Sequence, residues 1–353
     1  MSRAARFPRP GRTAGRVFQG LDAGRGRGSA LILALWILLL LSLLVGTFAF
    51  EMRIAAGIAS RHRRRGRAQA LAHAGVDWAR AAIAWSADVD PDGDPGEDPD
   101  LHLAAVHLAR GVPVRGVKRT LGEGAFRVHI VPEQGRRNVN LLEVDEWHAL
   151  LRLGGVPPER WDELVDCFMD WIDGDDLRRL HGAESDDPFY VERGYEVRNA
   201  PIPVVSELAL IKGFEPGLLY GGEPEDPLDP PWPGIARWLT TWGDGRVHLS
   251  AASHEVLMTV TGLAEWQADA LIEARSGFDG VEGTTADGFE SVDQALAAAG
   301  LPEEYGPQFV VGRPSIVRIV AEGESQGLRA VVWCVVEIAG PRSTVVFWRE
   351  EPR

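Results

Sequence analysis

Cysteine is nearly absent from this 353-residue chain, which has only Cys167 and Cys334. Neither lies in a C-x-x-C pair, which excludes a zinc knuckle. An oxidising compartment would allow one disulfide between them, and as free thiols they would pack as small hydrophobes. The nine histidines are scattered. His102 and His107 are five apart and share no helical face, so they make no zinc pair. Basic charge is scarce outside the N-terminus. Residues 1–28 hold seven arginines against Asp22, a net +6, so the rest of the chain carries −20 of the overall −14. Such a body repels nucleic acid and suits divalent cations or basic partners, or simply solubility.

Charge of either sign is missing from Ser29 to Phe50, a run of 22 residues. As a helix it would reach about 33 Å, enough to cross the hydrocarbon core. It exceeds the usual signal-peptide core. The arginines before it favour a cytoplasmic N-terminus, although Arg53, Arg61, Arg63, Arg64, Arg65 and Arg67 after it pull the other way. From Glu51 to Trp85 there is no proline. Leu71, Val76, Ala79 and Ile83 recur at helical spacing, so the helix is expected to continue beyond the bilayer as an amphipathic one.

Asp88 to Asp100 is rich in proline, glycine and acid and reads as a linker. Gly124 to Pro132 alternates like a strand, as do Ser315–Glu322, Leu328–Ile338 and Ser343–Arg349. Asn138 to about Gly300 is mainly helical in signal. It holds a weak repeat. Val139-Asn140-Leu141 leads through Leu150, Leu151 and Gly155-Val156 into a helix ending near Trp171. Val247 to Ser250 leads through Glu255-Val256-Leu257 and Gly262-Leu263 into Ala268–Arg275. Each copy reads as strand end, helix, glycine turn and helix.

Arg27-Gly28 followed by Ser29-Ala30-Leu31-Ile32-Leu33 resembles a type IV prepilin N-terminus. That resemblance implies cleavage by prepilin peptidase between Gly28 and Ser29, followed by methylation. Leu33 stands where most relatives carry glutamate; the K-type minor pseudopilins of the type II secretion system lack that acid. The central segment strengthens the likeness: Asp170-Trp171-x-Asp173, Asp175-Asp176, Gly182-Ala183-Glu184, Tyr190, Arg198-Asn199-Ala200-Pro201, and Ser206-Glu207-Leu208 with Ile211-x-Gly213. The implied fold is α+β: a long N-terminal spine helix, type IV pilin-like, packed on an antiparallel sheet, with a large all-α insertion containing helix–hairpin–helix-like repeats. The expected segments are a basic leader 1–28, spine helix 29–86, acidic linker and first strands 87–137, helical insertion 138–300 and closing strands 301–353.

Eight acids lie between Asp166 and Asp187. They repel each other unless solvated or neutralised, and calcium takes 6–8 such oxygens. Asp173, Asp175 and Glu184 fall at positions 1, 3 and 12 of an EF-hand frame, but Arg178 stands where glycine is required. An irregular calcium loop is one reading; a solvated loop paired with Arg178 and Arg179 is the other. The family resemblance implies calcium, and the expected ligands are Asp173, Asp175, Asp176, Glu184, Asp186 and Asn199. Asp88-x-Asp90-x-Asp92-Gly93-Asp94 opens like an EF-hand but has Pro99 at the closing position. Gly323-x-Ser325-x-Gly327 matches a nucleophile elbow, yet a strand follows it where a helix is needed. Trp232, Trp238 and Trp242 read as core or interface anchors.

The resemblance implies a non-enzymatic minor pseudopilin capping the tip of a periplasmic pseudopilus during protein export. It would be a single-pass inner-membrane protein with a cytoplasmic N-terminus and periplasmic bulk. Its partners would be other minor pseudopilins through the spine helix, prepilin peptidase and secreted substrates, with no nucleic acid. Two alternatives are another type IV pilus-like minor pilin and a membrane-anchored helix–hairpin–helix DNA-binding protein.

Overall fold

The computed structural model describes residues 26–222, 233–277, 279–281 and 283–352, with side chains from Ala30 to Glu351. Trp232 lies outside the described residues, as does most of the basic leader. The chain divides into two units, residues 1–62 and 63–353.

In the first unit, α1 (Gly26–Trp85) begins. Every side chain from Ala30 to Ala59 is exposed, among them Leu31, Trp36, Leu44, Phe50 and Ile58. By length and composition α1 can cross a membrane. Nothing polar interrupts its backbone bonding, which is the requirement a bilayer imposes.

The second unit is built on a five-stranded antiparallel sheet in the order β1-β2-β7-β8-β9. These strands are β1 (Val114–Leu121), β2 (Gly124–Pro132), β7 (Ile316–Ser325), β8 (Leu328–Ala339) and β9 (Arg342–Pro352). Alternation decides which face is covered. Val128 and Ile130, Val317, Ile319 and Ala321, and Val332, Cys334 and Val336 form one buried layer. Ala72, Val76, Ala79 and Ile83 of α1 pack on it, four residues that share one helical face. Close contact requires Gly323, where an added Cβ would overlap the Ala68 carbonyl oxygen and the Ala72 amide nitrogen. The β7–β8 hairpin turns at Gln326 and Gly327, both with positive φ (48° and 79°), as a two-residue primed turn demands. Ser325 is 2% exposed there. Strand–turn–strand, not strand–turn–helix, is therefore the context of the G-x-S-x-G match.

The acid-rich linker holds a helix that its charge pattern hid. Asp98 accepts a hydrogen bond from the Leu101 amide at 3.1 Å and Pro99 opens α2 (Pro99–Ala109). Asp with proline at the first helical position is a start signal. Arg119 closes on Asp98 at 2.7 Å and Asp100 at 3.0 Å. Asp90 and Asp94 accept from the Asp92 and Gly96 amides, so this stretch is ordered by its own turns. His102 bonds the Asp90 carbonyl at 3.0 Å and His107 the Thr284 carbonyl at 2.8 Å, apart from one another in role.

Residues 133–315 are inserted between β2 and β7, which are neighbours in register, with Pro132 opposite Val317. The insertion contains β3 (Arg137–Asn138), α3 (Val144–Leu153), α4 (Trp161–Ile172), α5 (Pro188–Arg193), α6 (Pro216–Tyr220), β4 (Leu239–Thr240), β5 (Val247–His248), α7 (His254–Leu257), α8 (Glu265–Ala274), α9 (Val292–Ala298) and β6 (Phe309–Val310). It is not all-α, as the sequence reading held. Two parallel strand pairs, β3–β4 and β5–β6, tie remote segments together. Two residues are too few to leave a periodic signal. Between α3 and α4, and between α7 and α8, the chain turns at a glycine with positive φ, Gly155 at +75° and Gly262 at +84°. The second begins with a helix of only 4 residues.

A second core fills the insertion. Trp147, Leu150, Phe168, Trp171 and Tyr190 are its centre, with Trp147 and Phe168 rings 4.8 Å apart. Trp238 is buried in it, 4% exposed. The two cysteines lie in different cores, Cys167 in the insertion and Cys334 under the sheet. Both are free and buried, and burial pushes the thiols up to about 12 and about 11.

The cores are joined at Glu133, whose side chain is fully buried. It takes Arg318 of β7 at 2.5 Å, Arg136 at 3.3 Å and the Thr240 hydroxyl at 2.6 Å.

Candidate functional site

The acidic motif lies at the C-terminal end of α4, on the loop to α5. Helix α4 has a strongly apolar face and ends at Ile172, where the orphan carbonyls of a helix terminus meet a run of acids. Asp170, in its last turn, is fully buried and accepts from the Arg179 amide at 3.3 and 3.2 Å. Asp166 accepts from the His181 amide at 3.0 Å. The loop therefore folds back along α4. Gly182 packs flat on Asp170, with no room for a Cβ.

Asn199 completes the arrangement. Its amide donates to the Trp171 carbonyl at 3.0 Å, and its backbone is left-handed at φ 51°, a conformation asparagine tolerates better than most residues. Its side-chain nitrogen donates to Asp176 at 3.1 Å. Its Oδ1 is buried without a partner, as are Asp173 Oδ1 and both carboxylate oxygens of Glu184. Glu184 is 3% exposed. Burial first, then the fields of Asp170, Asp173, Asp176 and Asp175, push its carboxyl up to about 7. Burial likewise raises Asp170, against the Arg179 hydrogen bond.

Buried acceptors without donors cost roughly 1–3 kcal/mol each. Four such oxygens lie on α4's C-terminal end and the segments after it, Asp173 Oδ1, both of Glu184 and Asn199 Oδ1, and a cation would be one way to satisfy them. The donor set is all oxygen, which suits a hard cation such as calcium. The residues able to hold it are Asp173, Glu184 and Asn199, with Asp176 beside them. Among the described residues no three of His, Cys, Asp and Glu stand as a group that could hold a metal ion, so Asp173, Asp176 and Glu184 are not a ready-made carboxylate cluster.

Two other expected ligands have partners of their own. Asp175 accepts from the Leu177 amide at 2.9 Å in its own turn. Asp186 pairs with Arg178 at 2.5 Å and its side chain is 83% exposed. Of the other expected loop pairings, Arg179 reaches Asp173 at 3.3 Å and Asp170 at 3.4 Å, so both Arg178 and Arg179 pair with acids of this segment. Gly28 and Ser29 lie in the first turn of α1.

The glycine turns carry little that would hold phosphate. In the first, Arg160 is spent on the Gly213 carbonyl at 3.1 Å.

Residues 128–221 match the family model described as type II secretion system (T2SS), protein K. The chain resembles type II secretion system protein K. Type II secretion system protein K of Klebsiella pneumoniae is 30% identical over 125 residues, which is 32% of this chain and 38% of that protein. The matched part thus spans well under half of the relative's length. A solved GspK–GspI–GspJ complex from the type 2 secretion system of enterotoxigenic Escherichia coli holds a chain with the same fold, at 16% identity and a TM-score of 0.58, covering 84% of this chain and 99% of that one. The protein K match begins in β2 and runs through α6, so it contains α4, the acidic loop and Asn199.

Proposed function

We propose that this chain is a minor pseudopilin of the type II secretion system that sits at the tip of the periplasmic pseudopilus. The observation that carries this is the division of labour along α1. From Ala30 to Ala59 every side chain is exposed, while from Ala68 onward one face, with Leu71, Ala72, Val76, Ala79, Ala82 and Ile83, is buried. An apolar helix with nothing of its own chain on it belongs to a bilayer or to like helices. The protein K likeness selects the second once the subunit leaves the membrane. A 183-residue insertion (133–315) on the sheet supplies the bulk that would prevent another subunit from stacking above. Leu33, where relatives carry an acid, fits a subunit with no neighbour above it. The partners would be other minor pseudopilins, by analogy with the complex of the solved relative, and the anchor would be inner-membrane with the sheet and insertion in the periplasm.

Sequencing of the mature N-terminus tests the pathway: Ser29 is expected, and only when prepilin peptidase is present. An intact Met1 in assembled pseudopili would overturn it. Labelling of the insertion should decorate filament ends alone; labels along the shaft would remove the tip assignment.

Calcium is proposed for the acidic loop, held by Asp173, Asp176, Glu184 and Asn199. Bound there, the ion would neutralise acids that otherwise repel. Calorimetry on the detergent-solubilised chain should show an exothermic calcium signal abolished by Glu184→Ala. No binding at millimolar calcium would leave the loop without a metal role.

A further inference from the structure

We propose that Arg63, Arg64 and Arg65 form a collar that docks an acidic helical segment of a neighbouring subunit. The proposal rests on the filament reading and names the chemistry of the neighbour. All three side chains are exposed on α1, just before Ala68 starts its burial on the sheet. Consecutive helical residues are about 100° apart, so the three sweep roughly 200° around the helix. Arg67 extends the collar and reaches Glu123 at 3.1 Å, in a pair 57% and 76% exposed that contributes little. No acidic residue stands on the helix between Glu51 and Asp77. Adjacent like charges repel, and this segment offers Arg63, Arg64 and Arg65 no carboxylate among the described residues. Solvent covers these charges in the isolated chain, which leaves them open to carboxylates of a partner.

Composition selects the partner. A helix that lies on a membrane sets Trp, Phe or Leu opposite its basic face. Residues 63–67 read Arg-Arg-Arg-Gly-Arg and have no apolar side chain. The charge also spreads over roughly 200° of the helix, wider than a single membrane-facing stripe. Anionic lipid therefore fits poorly, and the −20 body disfavours nucleic acid. A helix carrying Asp or Glu alongside fits on charge and on geometry, because complementary charge fixes register between packed helices.

The test is site-specific photo-cross-linking of the full-length chain in cells expressing the secretion system. Gly66 has no neighbouring atom within 4 Å, so p-benzoylphenylalanine there samples the collar without removing an arginine. A second cross-linker at Leu44 samples the apolar part and tests the filament reading alone. The expected Gly66 adduct is a pseudopilin, mapped to a helical segment with Asp or Glu. Arg63→Glu/Arg64→Glu/Arg65→Glu should cut that adduct roughly tenfold, the Lys triple should keep it, and Lys at the mapped acids should restore it to the Glu triple. Removing positive charge after the span does not oppose the expected insertion, which protease protection would check. A Leu44 adduct with a Gly66 adduct only to lipid, none at all, or one indifferent to charge reversal overturns the collar and leaves the filament reading standing. Loss of both adducts overturns both.

Discussion

Glu184 shows how much one buried group can report. Its carboxyl sits near 7 against an ordinary 4.5. The folded state thus holds the proton more tightly than the unfolded chain, and stability is lost as pH rises from about 4.5 through about 7. With calcium present that loss should vanish, because the ion takes the proton's place. Thermal melts of wild type from pH 5 to 8, with calcium and with chelator, check both statements. Glu184→Gln should raise the chelated melting point at pH 8 by roughly 2–4 °C, or about 1 kcal/mol, and remove the calcium response. Equal melts for the two proteins in chelator would show that Glu184 carries no charge penalty. His248 has the opposite sense. Burial holds it down at about 4, so its contribution is lost as pH falls from 6.5 through about 4, opposing the Glu184 trend where the two windows overlap and leaving the loss above pH 6.5 to Glu184 alone. Sequence spacing pointed to Asp173 and Glu184 because both fall on a calcium-loop frame, and both carry buried oxygens without a partner. Asn199 came only from the resemblance, and Asp170 went unread as a clamp. Asp186 pairs with Arg178, a contact that adjacency in sequence does not reveal.

Among the elements, the strands of the sheet were the most legible. Gly124–Pro132 was read with the bounds it has, and the three closing strands to within a few residues; β2 and β7 keep one face buried so period two survives, whereas the exposed edge β9 was legible from its run of β-branched and aromatic residues, Thr344 to Trp348. Strand β1 escaped notice because it is an edge with Arg115, Lys118 and Arg119 on it, where no burial enforces alternation. Helix α2 was hidden by the acids that begin it. The contact most sensitive to a single atom is Gly323 against α1. Gly323→Ala is expected to cost about 3 kcal/mol by forcing the helix off the sheet, seen as a lower urea midpoint. Gly327→Ala, at positive φ with open space around it, should cost about 1 kcal/mol by backbone strain alone. Similar losses for the two would mean that α1 yields without penalty.

Across the whole molecule, the insertion and the sheet share one buried charge. Arg318→Ala leaves Glu133 with Arg136 and Thr240 only, and should cost about 3 kcal/mol; Arg318→Met, which keeps most of the stem, isolates the charge from the packing. If both variants melt like wild type, Glu133 is not the joint between the layers. The insertion's existence was readable from the distance between Pro132 and the closing strands, but its content was not. Short helices, turns and two-residue strand pairs are held by tertiary packing, which a local pattern does not record. The distribution of the thiols gives the molecule two built-in chemical clocks. Cys167 is sealed in one core and Cys334 in the other, each too basic to react while covered. An alkylating reagent under native conditions therefore times the opening of each layer by itself. Equal labelling rates would make sheet and insertion one cooperative body. A faster Cys167 would mean that the insertion breathes while the sheet stays closed.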